Sequence, residues 1–125
     1  MKERRVHVLL IEDDQNLRTI LARHLASKGF RVAEAASAEA AADQLSIGLR
    51  PALVLLDLNL PGRTGWEFLR GTSLAEAGRP PVVVTTATSV NPSRLRELDV
   101  AGYLPKPFAM ETLVATVERF VGARL

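Results

Sequence analysis

Acidic, hydroxyl and ammonium side chains follow the ends of four short apolar runs in this sequence. They are Glu12, Asp13 and Asp14, then Asp57, then Thr85 and Thr86, and lastly Lys106. Carboxylates that converge from two segments repel each other unless a cation lies between them. Hard oxygen ligands that include one or two acids suit Mg²⁺ better than zinc or copper. If the ends of these runs meet in space, the residues predict a site for a divalent cation.

Phosphoryl transfer is the chemistry that such a group of residues supports. An aspartate carboxylate can act as a nucleophile and form an acyl phosphate when Mg²⁺ neutralises the transferred group and an ammonium and a hydroxyl hold its other oxygens. Asp57, Asp13, Lys106 and Thr86 could fill these roles. A single aspartate after a strand is more often a capping or loop residue, so the hypothesis depends on the convergence.

The elements that must position these residues alternate between strand and helix signals. We predict strands over residues 6–11, 30–35, 53–56, 82–86 and 102–104, and helices between Asp14 and Gly29 and over residues 38–45, 65–70, 93–98 and 110–121. This order predicts an α/β fold with a five-stranded parallel sheet, doubly wound by helices on both faces. In such a sheet, ligands bind beyond the carboxyl ends of the strands, where the polar residues occur.

Composition excludes several other kinds of protein. The chain has 125 residues, 47% of them hydrophobic, and we expect residues 1–125 to form one domain without repeat or linker. The absence of cysteine excludes disulfides, thiolate zinc sites and thiol nucleophiles. No apolar run approaches the ~20 residues of a membrane span, and the amino terminus does not resemble a signal peptide. We therefore expect a soluble cytoplasmic protein without a membrane partner.

Charge and histidine content add little to the functional hypothesis. The formal net charge is +2, and the basic side chains are scattered rather than arranged in a stripe, which argues against a nucleic-acid partner. His7 and His24 fall on the predicted first strand and first helix. We expect both histidines to be packed or surface side chains rather than members of the site.

The ordered motifs resemble the receiver domain of two-component response regulators over essentially the whole chain. The matching segments are residues 9–14, 55–62 with the following Gly65, 84–87 and 102–108. Each segment alone is a weak signal, whereas their order and spacing together are specific. The resemblance implies the strand order 2-1-3-4-5 and a cis Lys106-Pro107 peptide bond. Because the resemblance covers essentially all 125 residues, we expect no output domain within this chain, which is either a stand-alone receiver or a receiver cut from a larger protein.

The same resemblance implies a role for each residue of the predicted site. Asp57 is the implied phosphoacceptor, and Lys106 its ammonium partner. Asp13 is the implied direct Mg²⁺ ligand, together with Asp57 and the backbone carbonyl of Asn59, while Glu12 would bind through water. The implied phosphodonor is a sensor histidine kinase or a phosphotransfer protein.

A switch, rather than enzymatic turnover, is the activity that this resemblance implies. Thr86 matches the switch hydroxyl, and Tyr103 matches the aromatic side chain that changes rotamer with it, although Tyr103 could equally be a half-buried core residue. The responding face would consist of the fourth helix, fifth strand and fifth helix, and it would bind a protein partner or a fused output domain. The predicted fourth helix, residues 93–98, is short, so this face departs from the usual pattern.

Two positions after Asp57 also depart from the family pattern. Arg63 replaces a commonly apolar residue, and Thr64 replaces a commonly acidic, amide or serine residue but can still cap the third helix. Glu12, Asp13, Asp57 and Lys106 sum to a charge of −2, so the remainder of the chain carries +4. This balance favours a kinase or target with an acidic face, whose association rate should depend on salt.

Two alternative functions stay open at this point. A hydrolase of the haloacid dehalogenase type also uses an aspartate nucleophile and Mg²⁺, but it carries Asp-x-Asp after its first strand. Here Asp57-Leu58-Asn59 follows the third predicted strand. A degenerate receiver would act only as a docking or dimerisation module, although no signature residue is missing.

Overall fold

Parallel strands and helices alternate along residues 2–122, the part of the chain described by the structure, which is a computed structural model. The elements are β1 Arg4–Ile11, α1 Gln15–Ser27, β2 Val32–Ala35, α2 Ala38–Ser46, β3 Leu49–Asp57, α3 Gly65–Arg70, α4 Ser73–Glu76, β4 Val82–Thr86, α5 Pro92–Glu97, β5 Gly102–Pro105 and α6 Met110–Val121. The strands form one sheet in the order β2-β1-β3-β4-β5, and every neighbouring pair is parallel. The predicted α/β architecture and strand order are confirmed.

Two hydrophobic cores cover the two faces of the sheet. Leu53 and Leu55 of β3 pack into the core beneath α1 and α6. Val54 and Leu56 point the other way, into the core that contains Phe68 of α3. These four side chains of β3 are almost fully buried, because helices lie on both faces of the sheet. This burial explains why the strand appears in the sequence as a continuous apolar run rather than an alternating one.

Four of the helices begin at a residue whose side chain caps the first turn. The side chains of Asp14, Ser37, Thr64 and Asn91 each accept a hydrogen bond from a backbone N–H in the first turn of α1, α2, α3 and α5. Thr64 also receives the reciprocal support of a capping box, because the Glu67 carboxylate accepts from its backbone N–H. These caps determine where the chain leaves each strand end and turns back over the sheet.

Several predicted strand boundaries are wrong. β1 begins at Arg4 rather than residue 6, and β3 spans Leu49–Asp57 rather than residues 53–56. Both strands begin early because their first residues pair, Arg4 with Leu49 and Arg5 with Arg50. β2 begins at residue 32 rather than 30, since the Phe30 N–H instead bonds the carbonyl of Leu25 at the end of α1. β5 continues to Pro105, one residue beyond the prediction.

Two helical segments also differ from the prediction. α4, residues Ser73–Glu76, was absent from it, and this single turn has no side-chain cap that a sequence pattern could reveal. α5 covers six residues from Pro92, which confirms its shortness but moves its bounds by one residue. No helix within residues 2–122 has the length and apolar character needed to cross a membrane. The predicted domain 1–125 also includes Met1 and residues 123–125, which lie outside the described residues.

Candidate functional site

The carboxyl ends of four strands meet at one edge of the sheet. Residues Ile11 and Leu56 are in register between β1 and β3, so Glu12 and Asp57 follow on adjacent strands. On β4, Thr85 is the partner of Asp57. The backbone N–H of Lys106, just after β5, donates to the carbonyl of Thr86. The parallel register therefore brings the predicted polar residues together, although 94 positions of sequence separate Glu12 from Lys106.

An ammonium group bridges two buried carboxylates at this edge. The Lys106 Nζ lies 2.5 Å from Glu12 Oε1 and 3.0 Å from Asp57 Oδ2. Glu12 and Asp57 are only 2% and 4% exposed. Burial of two charges of the same sign is costly unless each is paired and hydrogen-bonded, so Lys106 offsets much of the cost of the cluster.

The pKa values at the site reflect this competition between burial and pairing. Burial raises the pKa of Glu12 above its ordinary value, while the hydrogen bond from Lys106 acts in the opposite direction. For Lys106, burial alone would lower the pKa, but the hydrogen bonds and negative charges of Glu12 and Asp57 outweigh it and raise the pKa. Lys106 therefore stays protonated at neutral pH and remains available to bind an anionic group.

Three carboxylates form an all-oxygen donor set that fits a hard cation. One oxygen from each of Glu12, Asp13 and Asp57 lies within 4.8 Å of the other two. Asp13 is exposed, whereas the other two are buried, so the group opens to solvent on one side. Oxygen donors of this kind match Mg²⁺, Mn²⁺ or Ca²⁺ rather than a thiolate-binding metal. These residues could therefore hold the predicted cation.

Asn59 connects Asp57 to the buried hydroxyl of β4. Its backbone N–H donates to Asp57 Oδ1 over 2.9 Å, so both oxygens of Asp57 accept hydrogen bonds, one from Asn59 and one from Lys106. Its side-chain Nδ2 donates to Thr86 Oγ1, also over 2.9 Å. Thr86 is completely buried. Any change at Asp57 is thus separated from the Thr86 hydroxyl by a single residue.

The network continues from Thr86 towards the surface through Thr88, two residues further along the chain. The two threonine hydroxyls lie 3.0 Å apart, and the Tyr103 hydroxyl donates to the Thr88 carbonyl over 3.3 Å. Tyr103 is 37% exposed, which is compatible both with a half-buried core residue and with the implied switching role.

Gly65 allows α3 to begin directly against the end of β3. A Cβ atom at this position would lie 2.6 Å from both the Asp57 carbonyl oxygen and the Leu58 Cα. The Gly65 N–H also donates to the Leu58 carbonyl over 3.1 Å. Only glycine permits this approach, which holds the segment bearing Asp57 and Asn59 against the rest of the site.

The remaining predicted features divide into those near the acids and those remote from them. The Lys106-Pro107 peptide bond is cis, as predicted. His7 lies outside the cluster, where its Nδ1 accepts from the Arg31 N–H and its ring packs edge-on against Phe30. His24 lies in the last turn of α1, also outside the cluster. The expectation that the histidines take no part in the acidic group agrees with these positions.

Comparison with known proteins agrees with this arrangement of strand ends and polar residues. A sequence model of the response regulator receiver domain matches residues 8–118. The chain belongs to the response regulator receiver family. As a receiver of two-component systems, it shares its fold with the chemotaxis protein CheY4 of Vibrio cholerae, with a TM-score of 0.82 over 95% of this chain and 99% of that chain. At 24% sequence identity, this likeness concerns the fold.

Two bacterial proteins show the relationship at the level of sequence. The receiver is 33% identical over 114 residues to the phosphate regulon transcriptional regulatory protein PhoB of Escherichia coli (strain K12). It is 31% identical over 113 residues to the uncharacterized transcriptional regulatory protein YkoG of Bacillus subtilis (strain 168). Each alignment covers 89% of this chain and 49% of the relative. The chain therefore spans about half the length of the curated relatives it matches.

Proposed function

We propose that this receiver is a phosphorylation switch in which Asp57 accepts a phosphoryl group from a sensor histidine kinase or a phosphotransfer protein. The observation that carries the proposal is the position of Asp57. Its buried carboxylate lies between the Lys106 ammonium and two further acids that could share a cation with it. This combination places a nucleophile beside the positive charges that phosphoryl transfer requires.

The transfer step uses Asp57 and two groups close to it, the Lys106 ammonium and the Thr86 hydroxyl. A carboxylate oxygen of Asp57 attacks the phosphorus of the donor's phosphohistidine, an O–P bond forms, and the P–N bond breaks. The leaving imidazole nitrogen keeps the bonding electron pair, and Asp57 becomes an acyl phosphate. Lys106 exchanges its bond to Asp57 for one to a phosphoryl oxygen, and the Thr86 hydroxyl binds another.

The chain's oxygen donors define a site for Mg²⁺ in this proposal. Asp13 and Asp57 would bind the ion directly with the Asn59 backbone carbonyl, and Glu12 would bind it through water. When bound, Mg²⁺ neutralises the charge of the transferred phosphoryl group. Glu12 keeps one oxygen on Lys106 and accepts the Asp14 N–H on the other, so it also orients both the ammonium and the turn that carries Asp13.

The signal leaves the site through Thr86. When its hydroxyl turns towards the phosphoryl group, the bond from Asn59 is released and the loop at Thr88, to which Tyr103 donates, can rearrange. This changes the face formed by α5, β5 and α6, which binds a protein partner or a fused output domain. We expect a population shift of ~1–3 kcal/mol rather than refolding. Direct contact of the receiver with nucleic acid or membrane is not part of the proposal.

An apolar groove beside Lys106 supports docking of the phosphodonor. The groove has a volume of about 360 Å³ and lies between α1 and the segment that follows β5. Its apolar lining includes Leu17, Leu21, Phe108 and Met110. Because the groove adjoins Lys106, an apolar helix face of the kinase or phosphotransfer protein seated there would bring its phosphohistidine towards Asp57.

The two alternative functions receive less support. A hydrolase of the haloacid dehalogenase type carries an acid two residues after its nucleophile, where this chain has Asn59, whose side chain is engaged with Thr86. We therefore propose that Asp57 is phosphorylated once per signalling event and that the protein turns over no substrate. We place this reaction in the cytoplasm. A degenerate docking module would need neither the Lys106 bridge nor the three converging carboxylates.

The test is phosphorylation of the full chain by acetyl phosphate with Mg²⁺, followed by intact mass spectrometry. We expect the mass to rise by one phosphoryl group in the wild type and in Asp43→Asn, an exposed aspartate of α2, but not in Asp57→Asn. Without Mg²⁺, the gain should disappear. The proposal fails if the wild type gains no phosphoryl group from acetyl phosphate or a phosphohistidine donor, while continuous hydrolysis of phosphate monoesters would favour the hydrolase.

A further inference from the structure

A partly buried arginine connects α1, β2 and the turn that carries the acids. Arg18 of α1 has a side chain only 16% exposed. Its Nη1 donates to the backbone carbonyl of Glu12 over 2.8 Å, and its Nε pairs with Glu34 Oε1 of β2 over 3.4 Å. Arginine is suited to such a double contact because its planar guanidinium presents several donors in fixed directions.

The contact with the Glu12 carbonyl has consequences for Asp13. Because the peptide between Glu12 and Asp13 is planar, holding the carbonyl oxygen of one residue fixes the N–H and the Cα position of the next. The opposite side of Glu12 is held as well, since its N–H donates to the carbonyl of Ala35 over 3.0 Å. Two of the three clustered carboxylates thus project from a backbone segment that Arg18 and β2 hold from both sides.

We infer that Arg18 is a positioning residue for the cation site, acting through the Glu12–Asp13 peptide and anchored by Glu34. The inference rests on the proposed function only in the identity of the cation. A positioning role and a purely electrostatic role predict opposite changes in cation affinity when Arg18 is replaced. A guanidinium near the acids repels a divalent cation, so charge alone predicts tighter binding when Arg18 is removed, whereas loss of positioning predicts weaker binding.

The test is the Mg²⁺ dissociation constant of the full, unphosphorylated chain, measured by calorimetric titration at constant ionic strength. We expect Arg18→Met to weaken Mg²⁺ binding by about tenfold, at the low end of what the outer partners of metal ligands contribute. The matched control is Arg23→Met, which removes the same charge from an exposed position of α1. The control should bind Mg²⁺ as the wild type does, or slightly more tightly.

A second variant keeps the test valid if Arg18→Met does not fold, which circular dichroism would reveal. Arg18→Lys preserves the charge, but one ammonium cannot reproduce both guanidinium contacts, so we expect binding about threefold weaker than in the wild type. Unchanged or tighter binding in a folded Arg18 variant, or a wild type that binds no Mg²⁺, overturns the inference. If the variants bind weakly as expected but wild-type Asp57 accepts no phosphoryl group, the inference stands and the proposed function fails.

Discussion

A methyl group added at Gly65 should disturb the site more than its size suggests. In Gly65→Ala, the new Cβ would lie 2.6 Å from the Asp57 carbonyl oxygen and from the Leu58 Cα. Ordinary contacts between such atoms lie at roughly 3.5–4.0 Å, so α3 and the end of β3 must separate by roughly 1 Å. Both atoms belong to the backbone, so no side-chain rotation can relieve the contact.

The expected magnitude follows from the two interactions that the separation affects. Overpacking of a tight contact costs about 1–3 kcal/mol. Lengthening the hydrogen bond from the Gly65 N–H to the Leu58 carbonyl adds about 1 kcal/mol. The free energy of unfolding should therefore fall by about 2–4 kcal/mol, which lowers the midpoint of thermal unfolding by about 10 °C for a chain of this length. Phosphorylation should slow as well, because the shifted backbone carries Asp57 and Asn59.

Urea and thermal unfolding followed by circular dichroism provide the assay, and Gly71 provides the matched control. Gly71 ends the same helix with φ −76°, and a Cβ there would meet its neighbours at an ordinary 3.5 Å. Gly71→Ala should be neutral or slightly stabilising, because it reduces the entropy of the unfolded chain. If Gly65→Ala proved as stable as Gly71→Ala, the close approach of α3 to β3 would not exist in solution, and the reasoning would be refuted.

Three further predictions concern the charges and the exposed end of the network. Lys106→Met leaves two buried carboxylates without their ammonium partner and should cost about 3 kcal/mol in urea unfolding without Mg²⁺. Burial raises the pKa of Glu12, and a carboxyl group with a raised folded-state pKa stabilises the fold at low pH and loses that contribution as the pH rises through the pKa. The glutamine of Glu12→Gln cannot ionise, so the variant does not lose this contribution. The unfolding midpoint of the variant minus that of the wild type, both without metal, should therefore increase from about pH 4 towards pH 7. A difference that does not change with pH would contradict this. Tyr103→Phe removes one exposed hydrogen bond, to the Thr88 carbonyl. It should change the free energy of unfolding by no more than about 0.5 kcal/mol and leave phosphorylation intact. We expect its effect in the affinity for the partner, measured by calorimetry.

Apolar runs predicted the architecture, because strands that are buried on both faces of a parallel sheet appear in the sequence as unbroken apolar segments. The strand starts were missed for the opposite reason. Arg4 and Arg50 are polar and lie at the amino-terminal ends of β1 and β3. They are in strands only because β1 and β3 pair there. Pro51 lies within β3, where it pairs with Val6, although proline usually argues against a strand. Such residues are determined by their partner strand rather than by their own pattern.

The acidic group was predictable because one rule places all carboxyl strand ends at the same edge. Arg18 was not predictable in this way. The arginine reaches backward from α1 to the Glu12 carbonyl, and a carbonyl is identical at every position of a sequence. Its second partner, Glu34, is 16 residues away on an edge strand. Contacts made by the backbone, or by isolated residues on different elements, leave no spacing that a reader of the sequence could recognise.

Chemical trapping of the phosphorylated residue shows directly whether Asp57 is the phosphoacceptor. The full chain is incubated with acetyl phosphate and Mg²⁺, treated with borohydride, which reduces an acyl phosphate to an alcohol, and then digested and sequenced by tandem mass spectrometry. We expect homoserine at position 57 alone, and none in Asp57→Asn or in metal-free samples. Homoserine at Asp13 or Asp14, or none at any residue after phosphorylation has been attempted, would contradict this expectation.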